Sequence, residues 1–382
     1  MKYMRRLLVL CMLPFAVCMP ALSQSNGSNP PVVAYAQGAP RDFSEGMRRI
    51  DTESYRYLVK VYAVHDPAKP LESLGSGSGE LVRSAGGVVR ILTNAHVVGS
   101  ATSVMVQFDK ERFAQEVAVL GVDKTVDLAL LEAPRPLPVS ARPLAIAKRP
   151  VAIGDLVYAE GYPEGSRSIS MGVVTSPTSP HAQSGIDVLF SHQAPIAPGS
   201  SGGALVRFTD SGEPELVGIN SQVFINKGFV SNLGFSIKSH VIERLIGKLE
   251  SEHAVTHVFL GFAVQDSEEV NPYFFRSVGG MYPPTRPGIM VTRVVKDSPA
   301  SRAGVLLGDV IIKFEVLADG QWFEVPVSSA RELSETVFFD VAPGTRVRAS
   351  TSRGSQNIGR EFTLETYPDA KPSAPTPPMP NN

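Results

Sequence analysis

The chain becomes rich in glycine at Gly199-Ser200-Ser201-Gly202-Gly203, where two serine hydroxyls lie among three glycines. Glycine adopts backbone conformations that other residues avoid, so such a run can form a turn tight enough for neighbouring N–H groups to point at one spot. A serine hydroxyl becomes a good nucleophile only when a base removes its proton during attack. A run of this kind is usually a loop or linker, so its significance depends on a base elsewhere in the chain.

Two further segments supply the groups that a serine nucleophile needs. Thr93-Asn94-Ala95-His96-Val97-Val98 places an imidazole just after an apolar strand, and Asp127-Leu128-Ala129-Leu130-Leu131 places a carboxylate at the head of another. Imidazole suits general-base catalysis because its pKa lies close to working pH. A carboxylate beside it holds the correct tautomer and stabilises the imidazolium. The order His, Asp, Ser is the chymotrypsin order, and it favours serine-based hydrolysis.

The glycine-rich turn also predicts an oxyanion hole. We expect the backbone N–H groups of Gly199, Ser200 and Ser201 to surround the negative charge that develops on an attacked carbonyl. Losing one such donor typically costs ~10²–10³ in rate.

Other candidate residues have weaker patterns. Asp123 lies near Asp127 but is not followed by an apolar strand, so Asp127 is the preferred carboxylate. His192 precedes the turn and is interpreted as structural or pocket-lining. His253 and His257 are four residues apart, but no carboxylate is placed as in a His-Glu-x-x-His zinc motif. We therefore expect no metal site.

Composition limits the possible partners. The chain is 43% hydrophobic and 19% charged, with 36 basic and 37 acidic residues. A nucleic-acid-binding protein usually carries a basic stripe, and none is visible. The sequence also lacks a Gly-x-x-x-x-Gly-Lys-[Ser/Thr] loop for nucleotide phosphates. We expect a protein partner, no cofactor and no built-in use of ATP.

The N-terminus has the pattern of a secretory signal. Positive residues precede an apolar run at 7–19, which is followed by Ala21-Leu22-Ser23. The run is shorter than the ~20 residues needed to span a bilayer, so we expect cleavage rather than a stable membrane anchor. Removal of the signal would also remove Cys11 and Cys18, the chain's two cysteines, which leaves nucleophilic chemistry to a hydroxyl.

Short apolar runs separated by turns predict a mainly β chain, either a barrel or a sandwich. Helical periodicity is expected over 239–249 and a short helix over 330–338. The predicted organisation is a signal peptide (1–23), a flexible leader (24–45), a first β-rich domain (46–252), a second β-rich domain (256–366) and a disordered Pro-rich tail (367–382).

The motifs of the first domain resemble those of the HtrA/Deg family of trypsin-like serine proteases. The resemblance implies a trypsin-like double β-barrel, with His96 as general base, Asp127 as its orienter and Ser201 as nucleophile. Ser200 departs from the family's usual asparagine before the nucleophile, and Ser191-His192-Gln193 departs from its usual Thr-Asp-Ala. The matching segments are Gly75-Ser76-Gly77-Ser78-Gly79, Leu92-Thr93-Asn94-Ala95-His96-Val97-Val98, Val126-Asp127-Leu128-Ala129-Leu130-Leu131 and Pro198-Gly199-Ser200-Ser201-Gly202-Gly203-Ala204-Leu205-Val206.

The second domain resembles the PDZ domain of the same family, through Phe259-Leu260-Gly261-Phe262 and the Ser-Pro-Ala…Gly-Asp-Val-Ile run of 298–311. A PDZ domain adds a peptide strand to a sheet edge and captures its C-terminal carboxylate with loop N–H groups. The resemblance assigns that loop to Leu260, Gly261 and Phe262. The alternative is a small β-rich docking domain that binds no peptide.

The resemblance implies an exported, ATP-independent endopeptidase that acts on unfolded or damaged proteins in the periplasm, as a homotrimer serving protein quality control under stress. The PDZ domain would capture substrates or regulate cleavage. Pro195, six residues before the nucleophile, and Asn220 are the expected pocket residues, and the missing acid at Pro195 predicts small or medium aliphatic side chains before the cut. The alternative is a chaperone-like or PDZ adaptor protein with a weakly active protease domain.

Overall fold

Strands dominate this protein. The computed structural model describes residues 40 and 42–368, apart from 71–73, 85, 180–185, 227–228, 272, 274–287 and 354–355. At 223–226 and 229–232 only the backbone is described. The predicted signal peptide, the leader up to residue 39 and the tail from residue 369 lie outside the described residues.

The first sheet contains seven antiparallel strands in the order β5-β4-β1-β2-β3-β7-β6. Alternate residues of β4 are buried, namely Val104, Val106 and Phe108, as expected for a strand with one face on a core. The strands are β1 Leu58–Val64, β2 Leu74–Arg83, β3 Val89–Thr93, β4 Ser103–Phe108, β5 Gln115–Val117, β6 Val119–Asp123 and β7 Leu128–Glu132.

The second sheet closes on itself. Its order is β12-β9-β10-β11-β14-β13-β8, and an additional β12–β13 pairing joins six of the strands into a ring. This closure decides between the two predicted architectures in favour of a barrel. The strands are β8 Ala145–Ile146, β9 Leu156–Gly161, β10 Ser168–Ser179, β11 Leu189–His192, β12 Ala204–Phe208, β13 Pro214–Asn226 and β14 Phe229–Lys238.

A second, smaller β-rich unit follows. Its main sheet has the order β16-β17-β18-β20-β21, with β19 paired to β18, so β16 is an edge strand. β15 pairs separately with β22. The strands are β15 Val258–Phe259, β16 Phe262–Asp266, β17 Ile289–Val294, β18 Val310–Ala318, β19 Gln321–Val325, β20 Arg346–Arg353, β21 Gln356–Thr363 and β22 Glu365–Thr366.

Five α-helices are named in the described part of the chain: α1 Phe43–Ser54, α2 Ala95–Val98, α3 Ser239–Glu252, α4 Pro299–Arg302 and α5 Ala330–Asp340. The prediction for α3 is confirmed, because its periodic apolar residues are all buried. The prediction for α5 is confirmed as well, with Ser329 capping its first turn by accepting a hydrogen bond from Glu332 N.

Helix α1 corrects the predicted leader boundary at residue 45. The helix begins at Phe43, and the Asp42 side chain caps it by accepting a 2.7 Å hydrogen bond from Glu45 N. Gly46 packs so closely on β9 that an added Cβ would lie 1.9 Å from the Tyr158 hydroxyl oxygen. The helix therefore belongs to the folded β domain.

The described residues belong to one compact unit, Gln37–Asn382. Phe338 and Phe339 of α5 pack in the same hydrophobic core as both large sheets. Tyr367, assigned to the disordered tail from sequence, packs its ring 5.5 Å from that of Phe259 and donates its N–H to His257 O. The predicted boundary at residue 366 is corrected accordingly. No helix among the described residues is long and apolar enough to cross a membrane.

Candidate active site

His96 and Asp127 meet at the edge of the first sheet. His96 lies in α2, directly after β3, and Asp127 directly precedes β7, the strand that pairs with β3. His96 Nδ1 lies 2.8 Å from Asp127 Oδ2 and 3.0 Å from Oδ1. The His96 backbone N–H also donates to Oδ1 at 2.9 Å. Because Nδ1 faces the carboxylate, the neutral ring presents Nε2 as its lone-pair nitrogen.

Asp127 has an unusual backbone that its neighbours hold in place. Its φ is +69°, in the left-handed region that non-glycine residues rarely adopt. Asn94 Nδ2 donates to the Asp127 carbonyl at 2.9 Å, and Ser221 Oγ donates to its Oδ2 at 2.7 Å. The backbone of Asp127 is therefore held by Asn94, which follows the first sheet, and its carboxylate by Ser221 of the closed barrel. Sequence reasoning missed Ser221, because it lies 94 residues further along the chain.

The environment of His96 favours its protonated form. Burial by itself would lower the pKa of the imidazole, but the hydrogen bond and the charge of Asp127 outweigh it and raise the pKa above 6.5. The His96 side chain keeps about half of its surface exposed, whereas Asp127 keeps 13%. A base of this kind is accessible to a substrate while its orienting carboxylate is sheltered.

Ser201 lies in the turn that precedes β12, and this turn requires its glycines. Gly202 has a φ of +80°, and an added Cβ would lie 2.2 Å from Ser78 O. A Cβ on Gly203 would lie 2.1 Å from Glu160 O. Ser201 Oγ donates to Ser221 O at 3.5 Å, and no hydrogen bond joins it to His96 among the described residues. Such bonds are often long without substrate and tighten in the complex.

The expected oxyanion donors differ in their backbone environment. Ser200 N–H donates to Ala197 O at 2.8 Å within the turn, so in this conformation it is not free to hold an oxyanion. The N–H groups of Gly199 and Ser201 have no partner among the described residues, and Gly199 has a φ of +97°. The expectation for three donors is corrected to these two.

Ser78 connects the first sheet to this turn. Its N–H donates to Ser201 O at 2.9 Å, and its Oγ donates to Gly199 O at 2.7 Å. The same Oγ accepts a bond from Tyr162 N–H, and Thr93 Oγ1 donates to the Ser78 carbonyl. Ser78 therefore fastens both ends of the nucleophile segment. The glycine motif around it was visible in the sequence, but this contact was not.

The predicted pocket residues occupy different environments. Pro195 is exposed, and its carbonyl accepts a bond from Ser170 Oγ. Asn220 is fully buried, and its Nδ2 donates to Glu160 O and Ala204 O. Its side chain supports the turn from behind, which corrects its expected place in the pocket wall.

His192 belongs to the same interior network. Its Nε2 lies 3.0 Å from Ser236 Oγ, and Ser236 Oγ in turn donates to Asn220 Oδ1. Burial lowers the pKa of His192 to about 4, so the ring is neutral at physiological pH. It has a structural position behind the nucleophile turn.

Two glutamates are buried behind the same turn. Glu80 and Glu160 are at most 1% exposed, and Tyr57 Oη donates to Glu160 Oε1 at 2.7 Å. Burial raises the pKa of Glu160 to about 8, although the Tyr57 bond and the charge of Arg167 oppose that shift. Burial, followed by the charge of Glu160, raises the pKa of Glu80 well above its ordinary value. Glu160 therefore stays mainly protonated at neutral pH.

A groove of about 810 Å³ runs along the edge strand of the smaller unit. The predicted loop residue Gly261 has a φ of +81°, and its carbonyl accepts bonds from Val295 N–H and Ser298 Oγ. Leu260 and Phe262 pack against the core of this unit. The groove is bounded by β16, by α5 and by Thr178 and Asp187 of the closed barrel.

Comparisons with known proteins agree with this arrangement. A family model described as "Trypsin-like peptidase domain" matches residues 77–219. A "Probable periplasmic serine endoprotease DegP-like" of Ectopseudomonas mendocina is 30% identical over 300 residues, which cover 78% of this chain and 57% of that protein. The "Periplasmic pH-dependent serine endoprotease DegQ" of Escherichia coli is 28% identical over 311 residues, which cover 81% of this chain and 63% of that protein.

A solved structure, "HtrA-type protease AlgW with tripeptide", has a TM-score of 0.61 at 25% sequence identity and covers 83% of this chain and 97% of its own. This chain therefore spans about 57% and 63% of the two curated relatives but nearly all of the solved structure.

Proposed function

This chain belongs to the HtrA/Deg family of trypsin-like serine proteases, and we propose on that premise that it cleaves internal peptide bonds of unfolded or damaged proteins. The observation that carries the proposal is the double contact of Asp127 with the ring and backbone of His96, beside a glycine-rich turn that bears Ser201.

In the acylation step, Ser201 Oγ attacks the scissile carbonyl while His96 Nε2 takes its proton. Asp127 keeps the Nδ1 proton directed at its carboxylate and stabilises the imidazolium. His96 then gives the proton to the leaving amine, and the acyl group stays on Ser201. Water then attacks the acyl carbon while His96 takes one of its protons. As the bond between the acyl group and Ser201 Oγ breaks, His96 returns that proton to Oγ, which restores the Ser201 hydroxyl and releases the acyl group as a carboxylic acid.

The tetrahedral oxyanion of each step needs donors that are already in place. The unengaged N–H groups of Gly199 and Ser201 are suited to this role. Ser78 supports it indirectly, since it holds the carbonyls of both residues away from that position.

The smaller unit is proposed to act as a PDZ domain. The exposed edge of β16, the adjacent α5 and the Gly261 loop are the elements that PDZ domains use to add a peptide strand and hold its carboxylate. We infer that peptide C-termini occupy this groove, for substrate capture or regulation.

We also propose that the protein is exported and that it assembles as a homotrimer. The pattern of 1–23 supports a cleaved signal peptide, and the names of both curated relatives contain the word periplasmic. Membership of the HtrA/Deg family supports a homotrimer, which sedimentation of the purified protein would test.

A peptide-binding adaptor with low protease activity is the second candidate. The observation in its favour is that Ser201 Oγ is bonded to Ser221 O rather than to His96 in this conformation.

The deciding experiment compares the protein lacking 1–23 with its Ser201→Ala variant. We expect the former to digest unfolded casein and to be labelled by a serine-directed fluorophosphonate, and Ser201→Ala to do neither. If the unmodified protein does neither, even with C-terminal peptides added to fill the groove, the adaptor function replaces the protease.

A further inference from the structure

A buried histidine–carboxylate pair joins the first sheet to the connection that leads into the smaller unit. His257 Nε2 lies 2.6 Å from Asp123 Oδ2, and neither side chain is more than 1% exposed. His257 belongs to the connection between α3 and β15, whereas Asp123 ends β6, four residues before Asp127. The connection also bonds directly to β6, because Val122 N–H donates to His253 O and Val255 N–H donates to Val122 O.

The geometry requires a proton between the two side chains. His257 Nδ1 lies 3.1 Å from Phe338 O, and a carbonyl only accepts, so Nδ1 carries hydrogen. Nε2 and Oδ2 at 2.6 Å cannot face each other with two lone pairs. The pair is therefore either histidinium with carboxylate or neutral imidazole with a carboxylic acid. In both states the contact is a strong, directional hydrogen bond in a dry site.

The other oxygen of Asp123 shapes the chain that leads to Asp127. Asp123 Oδ1 accepts hydrogen bonds from Thr125 N–H and Val126 N–H, both at 3.0 Å. These bonds close the turn at whose end Asp127 adopts its φ of +69°. A strained backbone persists only where its surroundings hold it, so the orientation of Asp123 bears directly on that of Asp127.

His257 is bound to α5 through its Nδ1, which donates to Phe338 O, and through its ring. Its ring stacks on Phe338 with centroids 4.0 Å apart and planes 4° apart. Lys248 Nζ donates to Phe339 O, and Arg244 pairs with Asp340, so two further contacts join α3 to α5. The position of His257 is thereby set by the smaller unit.

We propose that Asp123 and His257 are positioning residues for hydrolysis: His257, held by α5, orients Asp123, which holds the turn that presents Asp127 to His96. This inference rests on the proposed protease function. Neither residue touches substrate, so the effect falls on kcat rather than on KM. A misplacement of about 1 Å at a catalytic group can cost ~10²-fold in rate.

Matched variants separate positioning from folding. Asp123→Asn keeps an acceptor for Thr125 and Val126 N–H and offers an N–H to neutral His257, whereas Asp123→Ala keeps neither. His257→Gln places an amide N–H within reach of Asp123, whereas His257→Asn is too short to reach it but still reaches Phe338 O. Both His257 variants lose the ring stack, and His257→Asn also leaves the buried Asp123 without its partner, so its melting temperature should fall further. The rates are therefore compared at a temperature at which all four variants remain folded.

We expect Asp123→Ala and His257→Asn to lower kcat at least ~10-fold at unchanged KM, measured per folded molecule on a peptide substrate, and Asp123→Asn and His257→Gln to stay within ~3-fold of the unmodified protein. The inference is overturned if all four variants keep kcat, or if Asp123→Asn and His257→Gln lose as much kcat per folded molecule as Asp123→Ala and His257→Asn.

A second measurement keeps the inference testable if the protease function fails. The proton on His96 Nδ1 should give a downfield ¹H NMR signal that His96→Gln abolishes. Loss of this signal in Asp123→Ala and its survival in Asp123→Asn would support the positioning role, and its survival in both would refute it. Absence of casein digestion and of fluorophosphonate labelling in the unmodified protein would instead refute the protease function alone.

Discussion

Ser221 Oγ donates a 2.7 Å hydrogen bond to Asp127 Oδ2, the oxygen that also lies 2.8 Å from His96 Nδ1. Oδ1 meanwhile accepts the His96 backbone N–H. Both carboxylate oxygens are therefore occupied by donors that fix the plane of the group, and Ser221 is the donor that comes from the closed barrel.

Ser221→Ala should lower kcat/KM about tenfold. A hydrogen bond to a charged group contributes ~1.5–3 kcal/mol, and the remaining contacts of Asp127 hold part of that orientation. Steady-state kinetics on a peptide substrate measures the loss. Ser211→Ala, in the exposed hairpin turn, is the control and should match the unmodified protein. Equal rates for both variants would show that Ser221 does not orient the carboxylate.

The pH–rate profile should have its acidic midpoint above 6.5. Neutral His96 is the active base, and Asp127 raises its pKa despite the opposing effect of burial. Activity should therefore be low at acidic pH and rise as His96 loses its proton. His192→Gln should leave this midpoint unchanged, because burial has already lowered the pKa of His192 to about 4. A midpoint at or below 6.5 would contradict the environment described for His96.

Thermal stability should decline from pH 5 to pH 8 because of Glu160. Its pKa is raised from 4.5 to about 8 in the folded state, so folding favours the protonated form. The stability that this proton contributes is fully present below about pH 4.5 and is lost as the pH rises through about 8. Each pKa unit corresponds to about 1.4 kcal/mol, so the decline amounts to several °C in melting temperature.

Glu160→Gln cannot ionise and should show a flatter pH dependence of its melting temperature. Glu164→Gln makes the same chemical change at an exposed position and should follow the unmodified protein. If the melting temperatures of both variants changed with pH in the same way, Glu160 would not be the cause of the decline.

Gly202→Ala should abolish fluorophosphonate labelling and destabilise the fold. At φ +80° an added Cβ would lie 2.2 Å from Ser78 O and 2.3 Å from Thr93 Oγ1, so the nucleophile turn must move. Gly87 has a similar φ of +77° but open space around its Cβ position. Gly87→Ala should cost only the ~1–2 kcal/mol of the backbone conformation and keep labelling. Urea unfolding measures the free energy of unfolding of both variants. An equal loss of stability in Gly202→Ala and Gly87→Ala would show that the added Cβ at residue 202 meets no clash.

Regular elements were predictable where a local pattern coincides with burial. The short apolar run 103–108 forms β4, in which alternate residues are buried, and 239–249 carries the apolar face of α3. Helix α1 was missed because Ile50 is the one large apolar residue among its fully buried positions. The other two are Gly46, which lies against Tyr158, and Ser54, and neither gives a hydrophobic signal in the sequence.

The candidate catalytic residues could be proposed from the sequence for a different reason. Ser201, His96 and Asp127 stand in short motifs whose residue types have few other uses in combination. Their supports were not, because Ser78 and Ser221 are common polar residues whose partners lie 121 and 94 positions away. The prediction that Asn220 lines the substrate pocket has the same weakness, because its side chain bonds to carbonyl groups that are distant in sequence. These hydrogen bonds direct the side chain into the barrel interior.

The sequence by itself determined the candidate reactive side chains, their order and the positions where only glycine fits, because these depend on residue type and on a few neighbours in the chain. The tertiary structure alone decided that β12 and β13 close a barrel, that Glu80 and Glu160 are buried, and that Asp123 pairs with His257. Hydrogen bonds and pKa values depend on distances through space, and long-range strand pairing sets those distances.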